Sequence, residues 1–202
     1  MSFHPEEARV PDLLRTDDFL IRPLRTTDVE ADYQAVVESR EMLRVWDQSD
    51  WPDDDFTRKD NRADLEEHEA DHEAGTAFTF TVMDPREERC LGCIYIQALR
   101  PTLSALGADE AAFSDIGEHD AYVSFWVRGS ELGSDLERRL LNALLDWFER
   151  EWAFGRIALG TNTGDERQRA LFRAGGFAET WRFPIAGRDS NYLICTRESK
   201  SG

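Results

Sequence analysis

Lysine is nearly missing from this chain of 202 residues: it stands only at Lys59 and Lys200, and basic residues of both kinds number 24 against 41 acidic ones. The net charge of −17 excludes nucleic acid and anionic membrane surfaces as natural partners, because their phosphates would be repelled. Cysteine is scarce as well. Cys90, Cys93 and Cys195 are too few, and too apolar in setting, for a disulfide framework. No apolar run approaches the length of a membrane span, and Met1 to Glu7 shows no basic stretch leading into an apolar one, so a cytoplasmic location is expected. There is no internal repeat and no low-complexity tract. What remains is a globular composition, 41% hydrophobic, long enough to bury a real core. The expected organisation is an N-terminal tail over 1–12 and a single domain over 13–198. The acidity permits a cationic substrate, as it permits simple solubility or adaptation to a salty cytoplasm.

Hydrophobic periodicity orders the elements. Phe19 to Leu24 reads as a first strand, with Pro23 placing it near an edge. Thr27-Asp28-Val29-Glu30 starts a helix whose Val29, Tyr33, Val36 and Val37 share a face, and Asp47 to Asp55 is a turn region carrying Trp46 and Trp51 among acids. From Phe56 to Ala74 the pattern is helical but almost wholly polar, which predicts a solvated helix or lid. Phe78 to Val82 and Cys90 to Ile96 form a hairpin, and Arg100 to Asp120 follows as a long acidic connection without periodicity. After a strand over 121–127, Leu136, Leu140, Leu144, Trp147 and Phe148 recur at helical spacing. A short strand over 156–161, a helix over 165–174 ended by Gly175-Gly176, and two last strands complete the chain. This order predicts an α/β domain, a central mixed sheet of about seven strands with helices on both faces.

The turn Arg128 to Ser134 is the most telling segment. A strand feeding a glycine-containing turn and a helix N-terminus builds an anion cradle, because the first helical N–H groups lack partners. Here Glu131, Asp135 and Glu137 crowd that place. Ser134-x-x-Glu137 also reads as a capping box that would satisfy the helix start by itself. Two further motifs invite a metal. His68-Glu69-Ala70-Asp71-His72 spells H-E-x-x-H, but acids flank it and no third histidine follows at the expected distance, so chance occurrence is preferred to a zinc hydrolase. Cys90-Leu91-Gly92-Cys93 lies on a predicted strand, where residues three apart point to opposite faces, so no metal site is expected.

The element order, with Leu14-x-Thr16-x-x-Phe19-Leu20-Ile21-Arg22-Pro23-Leu24-x-x-x-Asp28 near the start and Ala174-Gly175-Gly176-Phe177 near the end, resembles the GNAT acetyltransferase superfamily, in particular the branch that acetylates ribosomal-protein N-termini. The resemblance runs from about Leu13 to Arg197. It implies acyl transfer from acetyl-CoA to a small-molecule or peptide amine, cationic given the acidic Trp46 to Asp55 region, in a protein that is a homodimer, as is usual for the family. It places the pantetheine arm along Phe125, Trp126, Val127 and Arg128, and the pyrophosphate at Leu132, Gly133, Ser134, Asp135 and Leu136. Only Gly133 fits that loop pattern. Asp165, Gln168 and Phe172 fall where the family has asparagine, serine and tyrosine, and Phe172 has no proton to give. Tyr122 takes a position sometimes filled by a glutamate base, with Glu118, His119 and Asp120 just upstream as other candidates, and Gln168 could donate a hydrogen bond. These departures keep a second reading open, a catalytically degenerate binding module without coenzyme A chemistry.

Overall fold

The computed structural model describes residues 3–5, 7–108 and 113–197. Positions 1, 2 and 6 of the expected tail, 109–112 of the acidic connection, and 198 at the expected end of the domain lie outside the described residues. The strands are β1 Leu14–Arg15, β2 Leu20–Pro23, β3 Ala77–Met83, β4 Cys90–Ala98, β5 Ala121–Val127, β6 Ile157–Asn162, β7 Ala178–Pro184 and β8 Asn191–Thr196. The helices are α1 Val29–Glu38, α2 Arg40–Asp47, α3 Arg58–Ala74, α4 Leu99–Ala105, α5 Leu136–Glu151 and α6 Glu166–Ala174. One eight-stranded sheet runs in the order β1-β2-β3-β4-β5-β6-β8-β7. It agrees with the expected mixed sheet of about seven strands; the additional one is the two-residue β1 at the edge.

Alternation along β5 divides the two faces. Val123, Phe125 and Val127 pack on Leu136, Leu140, Leu144 and Trp147 of α5, the apolar stripe visible in the sequence. Trp126 points the other way, to Val36 of α1, Leu43 of α2 and Leu65 of α3. Trp126 and Trp147 are fully buried, and each such aromatic contributes on the order of 1.5–3 kcal/mol by leaving water. Phe3 and His4, within the segment read as a tail, are buried, with Phe3 against Phe78 and His4 against Trp152. The acidic connection opens with an unexpected helix, α4, whose buried Leu99 and Leu103 stand one turn apart. Arg100 donates to the carbonyls of Phe113 and Ile116 and closes the connection on itself.

Two irregularities shape the middle of the sheet. The parallel pairing of β5 with β6 joins Ala121, Tyr122 and Val123 to Ile157, Ala158 and Leu159, and ends there. Beyond Ser124 and Gly160 the strands part, while β6 stays paired with β8 as far as Asn162. In the β3–β4 ladder, Val82 faces Gly92 but Met83 faces Cys90, so Leu91 is the extra residue of a β-bulge. A Cβ on Gly92 would lie 2.1 Å from the Trp126 carbonyl oxygen, which only glycine avoids.

Candidate functional site

Where β5 and β6 part, a cavity of about 450 Å³ opens on the α2–α3 side of the sheet. Its floor is Tyr122, Ser124, Gly160 and Thr161, and its walls carry Trp46, Trp51, Tyr95 and Tyr192 with Asp47, Asp64 and His68. The wall from α2 is fixed by Asn162, whose Nδ2 donates to the carbonyls of Val45 and Trp46 at 2.9 and 3.0 Å. These are carbonyls of the last helical turn, which have no donor partner inside the helix. Tyr192 Oη adds a long bond to the Asp47 carbonyl, 3.4 Å.

Tyr122 lies flat across the opposite strand. A Cβ on Gly160 would come within 2.1 Å of its hydroxyl oxygen, so the ring occupies the space that glycine leaves. Burial pushes the Tyr122 phenol up to about 12, against a hydrogen bond with Ser124 that acts the other way. The group is therefore a proton donor at neutral pH, not a base. Burial lowers His68 below the usual imidazole value and raises Asp64, which also shares a hydrogen bond with Trp51. His68 stacks at an angle on Tyr95, 5.5 Å between ring centres. The cavity thus holds a neutral imidazole, a protonated phenol and two acidic side chains among aromatic rings.

On the other side of the parted strands, Gln168 is fully buried and its Nε2 donates to the Phe125 carbonyl at 2.9 Å. Its Oε1 is buried and has no hydrogen-bond partner among the described residues. The helix start beyond it departs from the sequence expectation. Asp135, not Ser134, is the residue preceding α5, and no capping box forms. Ser134 turns back to donate to the Glu131 carbonyl, and Glu137 forms an ion pair with Arg167 of α6. A tertiary cation has displaced the local cap. The N–H groups of Leu132 and Ser134 go to the carbonyls of Gly129 and Glu131, and that of Leu136 to Ser134 Oγ. The first bond of the helix itself is Arg139 N to Asp135 O, which leaves Glu137 and Arg138 ahead of the backbone ladder. The crowding acids are each answered by arginine: Glu131 by Arg89, Asp135 by Arg138, and Glu137 with Asp165 by Arg167.

The structure brings Tyr122 to the cavity and Gln168 to the parted strands behind it. Glu118 lies elsewhere. It lines a separate cavity with Phe3 and Leu99, because it precedes the paired start of β5 while the strands separate at the other end. Arg128 is also committed elsewhere, since its guanidinium pairs with Glu38 of α1 and donates to the Cys90 carbonyl. Trp126 faces α1–α3, and its indole N–H donates to Tyr95. Phe125 and Phe172 are core, with rings 6.0 Å apart. Asp165 accepts from the Gln168 N–H as the cap of α6. The polar helix α3 is not a lid but the cavity wall. Asn61, Leu65, His68 and His72 recur one turn apart, a stripe that a purely apolar search passes over. Of the H-E-x-x-H residues, His72 packs on Phe78 and Phe80, and Glu69 accepts from Thr26. Among the described residues they form no metal-capable group of three; the one such group is Asp32, Cys90 and Cys93.

Residues 40–177 match the family described as acetyltransferase (GNAT) family. No curated protein matches the chain. Among solved structures it is similar to RimL, the ribosomal L7/L12 alpha-N-protein acetyltransferase in complex with coenzyme A, with 16% identity, a TM-score of 0.70, and 92% of this chain and 98% of that one covered. It is similar to the ribosomal-protein-S5-alanine acetyltransferase from Vibrio fischeri, with 17% identity, a TM-score of 0.69, and coverage of 95% and 98%. It also resembles the microcin C7 self immunity acetyltransferase MccE in complex with acetyl-CoA and AMP, with 13% identity, a TM-score of 0.68, and coverage of 90% and 93%. At these identities the likeness is one of fold.

Proposed function

The chain belongs to the GNAT acetyltransferase family, and from that premise we propose that it transfers an acyl group from acyl-coenzyme A to a cationic amine held in the cavity between β5 and β6. The observation that carries this reading is the parting of the two strands after Val123 and Leu159, with a chemically equipped cavity on one side and a helix N-terminus on the other. The attacking nitrogen is in its free-base form, its proton already lost to solvent: it adds to the thioester carbon, the C–N bond forms, and the C–S bond breaks. Tyr122 supplies the proton to the leaving thiolate, and His68, neutral in this setting, takes the proton of the amine. Trp46, Trp51, Tyr95 and Tyr192 offer ring faces to a cation, and Asp47 and Asp64 supply opposite charge. Gln168 supports a place for the pantetheine arm: its unpaired Oε1 is an acceptor for an amide N–H, and the arm carries amides.

The test is thiol release from acetyl-coenzyme A with matched acceptors, a diamine or a lysine-rich peptide against an amino acid bearing carboxylates. The expected result is preference for the cationic acceptor, a KM for it raised about tenfold in Asp64→Asn with kcat less affected, and a rate that falls as pH drops through a His68 pKa below 6.5. Equal use of both acceptors would remove the cationic-acceptor claim. A second reading, a binding module without coenzyme A chemistry, is favoured by Gln168 already holding the Phe125 carbonyl and by the two turn N–H groups taken by backbone. It predicts no thiol release with any amine.

A further inference from the structure

The bulge at Leu91 gives the C-x-x-C segment a geometry that a regular strand denies it. One extra residue between Cys90 and Cys93 restores their parity, and both thiols turn to the face covered by α1. There they meet Asp32. The inward stripe of α1 holds Asp32, Ala35 and Val36, so a carboxylate stands where the helix calls for an apolar residue. All three groups are buried, with Asp32 4%, Cys93 1% and Cys90 0% exposed. Among the described residues no arginine or lysine pairs with Asp32; its neighbours are the two thiols and the amide of Asn61. A buried carboxylate in that company is costly unless something positive answers it.

The spacing says what would. Asp32 Oδ1 lies 3.4 Å from Cys93 Sγ and 3.9 Å from Cys90 Sγ, and the three ligand atoms lie within 4.8 Å of one another. A tetrahedral zinc site, with Zn–S of about 2.3 Å and Zn–O of about 2.1 Å, has O···S edges of about 3.6 Å and S···S edges of about 3.8 Å. The two observed distances bracket the first of these. Entry is also provided. Asp32 lines a small cavity of about 30 Å³ with Asn61, and this cavity shares Trp51, Asp64, His68 and Tyr95 with the larger one at the parted strands. We propose that Asp32, Cys90 and Cys93 form a zinc-type metal site that ties α1 to the β3–β4 hairpin beneath the acceptor cavity, with Asn61 or a water completing four-coordination. The ion is structural: it binds with release of the thiol protons and takes no part in acyl transfer.

The test uses the full chain, reduced and stripped of metal, titrated with Co²⁺ as a spectroscopic probe. The expected result is a thiolate-to-cobalt charge-transfer band that saturates at one equivalent and is displaced by Zn²⁺. It is lost in Cys93→Ser, and cobalt binds about tenfold more weakly in Asp32→Asn. At one fixed zinc concentration the melting temperature of the wild type rises more than that of Asp32→Asn. No thiolate band in the wild type overturns the proposal, as does a band that survives Cys93→Ser or cobalt binding that disappears in His72→Ala. If the serine variant does not fold, native mass spectrometry of the wild type decides: one retained zinc supports the site, and the bare chain mass in excess zinc overturns it.

Discussion

Gly160 and Tyr122 define each other. The ring can lie over β6 only because position 160 carries no side chain, and a methyl there would meet the hydroxyl oxygen at 2.1 Å. Gly160→Ala therefore moves the phenol out of the cavity floor. The expected outcome is a fall in kcat of about 10²-fold, matched by Tyr122→Phe, while the melting temperature of Tyr122→Phe stays close to that of the wild type. Steady-state rates and thermal denaturation of both variants check it; an unchanged kcat in Tyr122→Phe would take the proton donor away from this residue. At this scale the sequence is informative in an uneven way. Tyr122 and Gln168 can be named because a strand and a helix place them by counting from Phe125-Trp126-Val127 and Gly176-Phe177. Asp64 escapes notice, and His68 stands out only as part of H-E-x-x-H, because their helix looks polar throughout. Only the sheet beneath α3 reveals that Asn61, Leu65 and His68 share an inward face.

Among the elements, the N-terminus of α5 has the largest consequences for cofactor binding. Its acids look hostile to a phosphate when each is read with its local neighbours alone. The arginines that answer them include Arg89 beside β4 and Arg167 on α6, which the chain brings from 42 and 30 positions away, counting from Glu131 and Glu137. The same distance explains the false capping box: Glu137 gains more from a half-buried guanidinium than from reaching back to a backbone N–H. Burial raises Glu137 even so, with Arg167 acting against that shift. We extend the proposed function to this arginine: Arg167, held by Glu137 and Asp165, exchanges a carboxylate for a phosphate when acyl-coenzyme A binds. Glu137→Gln weakens the competing partner and is expected to tighten acetyl-coenzyme A about tenfold, ~1.4 kcal/mol, and Arg167→Ala to loosen it by a similar factor. Calorimetric titration of the two variants checks the pair; identical affinities would mean that this arginine does not face the cofactor. The bulge in β4 shows the same weakness of local reading. Period-2 alternation places Cys90 and Cys93 on opposite faces, and one inserted residue reverses that conclusion.

For the molecule as a whole, the architecture is legible in the sequence because it rests on long, strongly periodic segments. The α5 stripe, the β3–β4 hairpin and the order of strands and helices all survive in the sheet. The short pieces are not legible: β1 is two residues long, and α4 buries just two leucines, too little to stand out from an acidic stretch. The parting of β5 and β6 is not legible either, since it depends on pairing partners that lie far apart in the chain. Net charge acts at this scale too. At −17 the chain repels an anionic cosubstrate and attracts a cationic amine over distances comparable to the screening length. Added salt should therefore tighten acetyl-coenzyme A and loosen the amine. The most direct measurement is calorimetric titration of the wild-type chain with acetyl-coenzyme A at low and high ionic strength. The account predicts binding at one site per chain that strengthens with salt, whereas no detectable heat at millimolar ligand under either condition would contradict it.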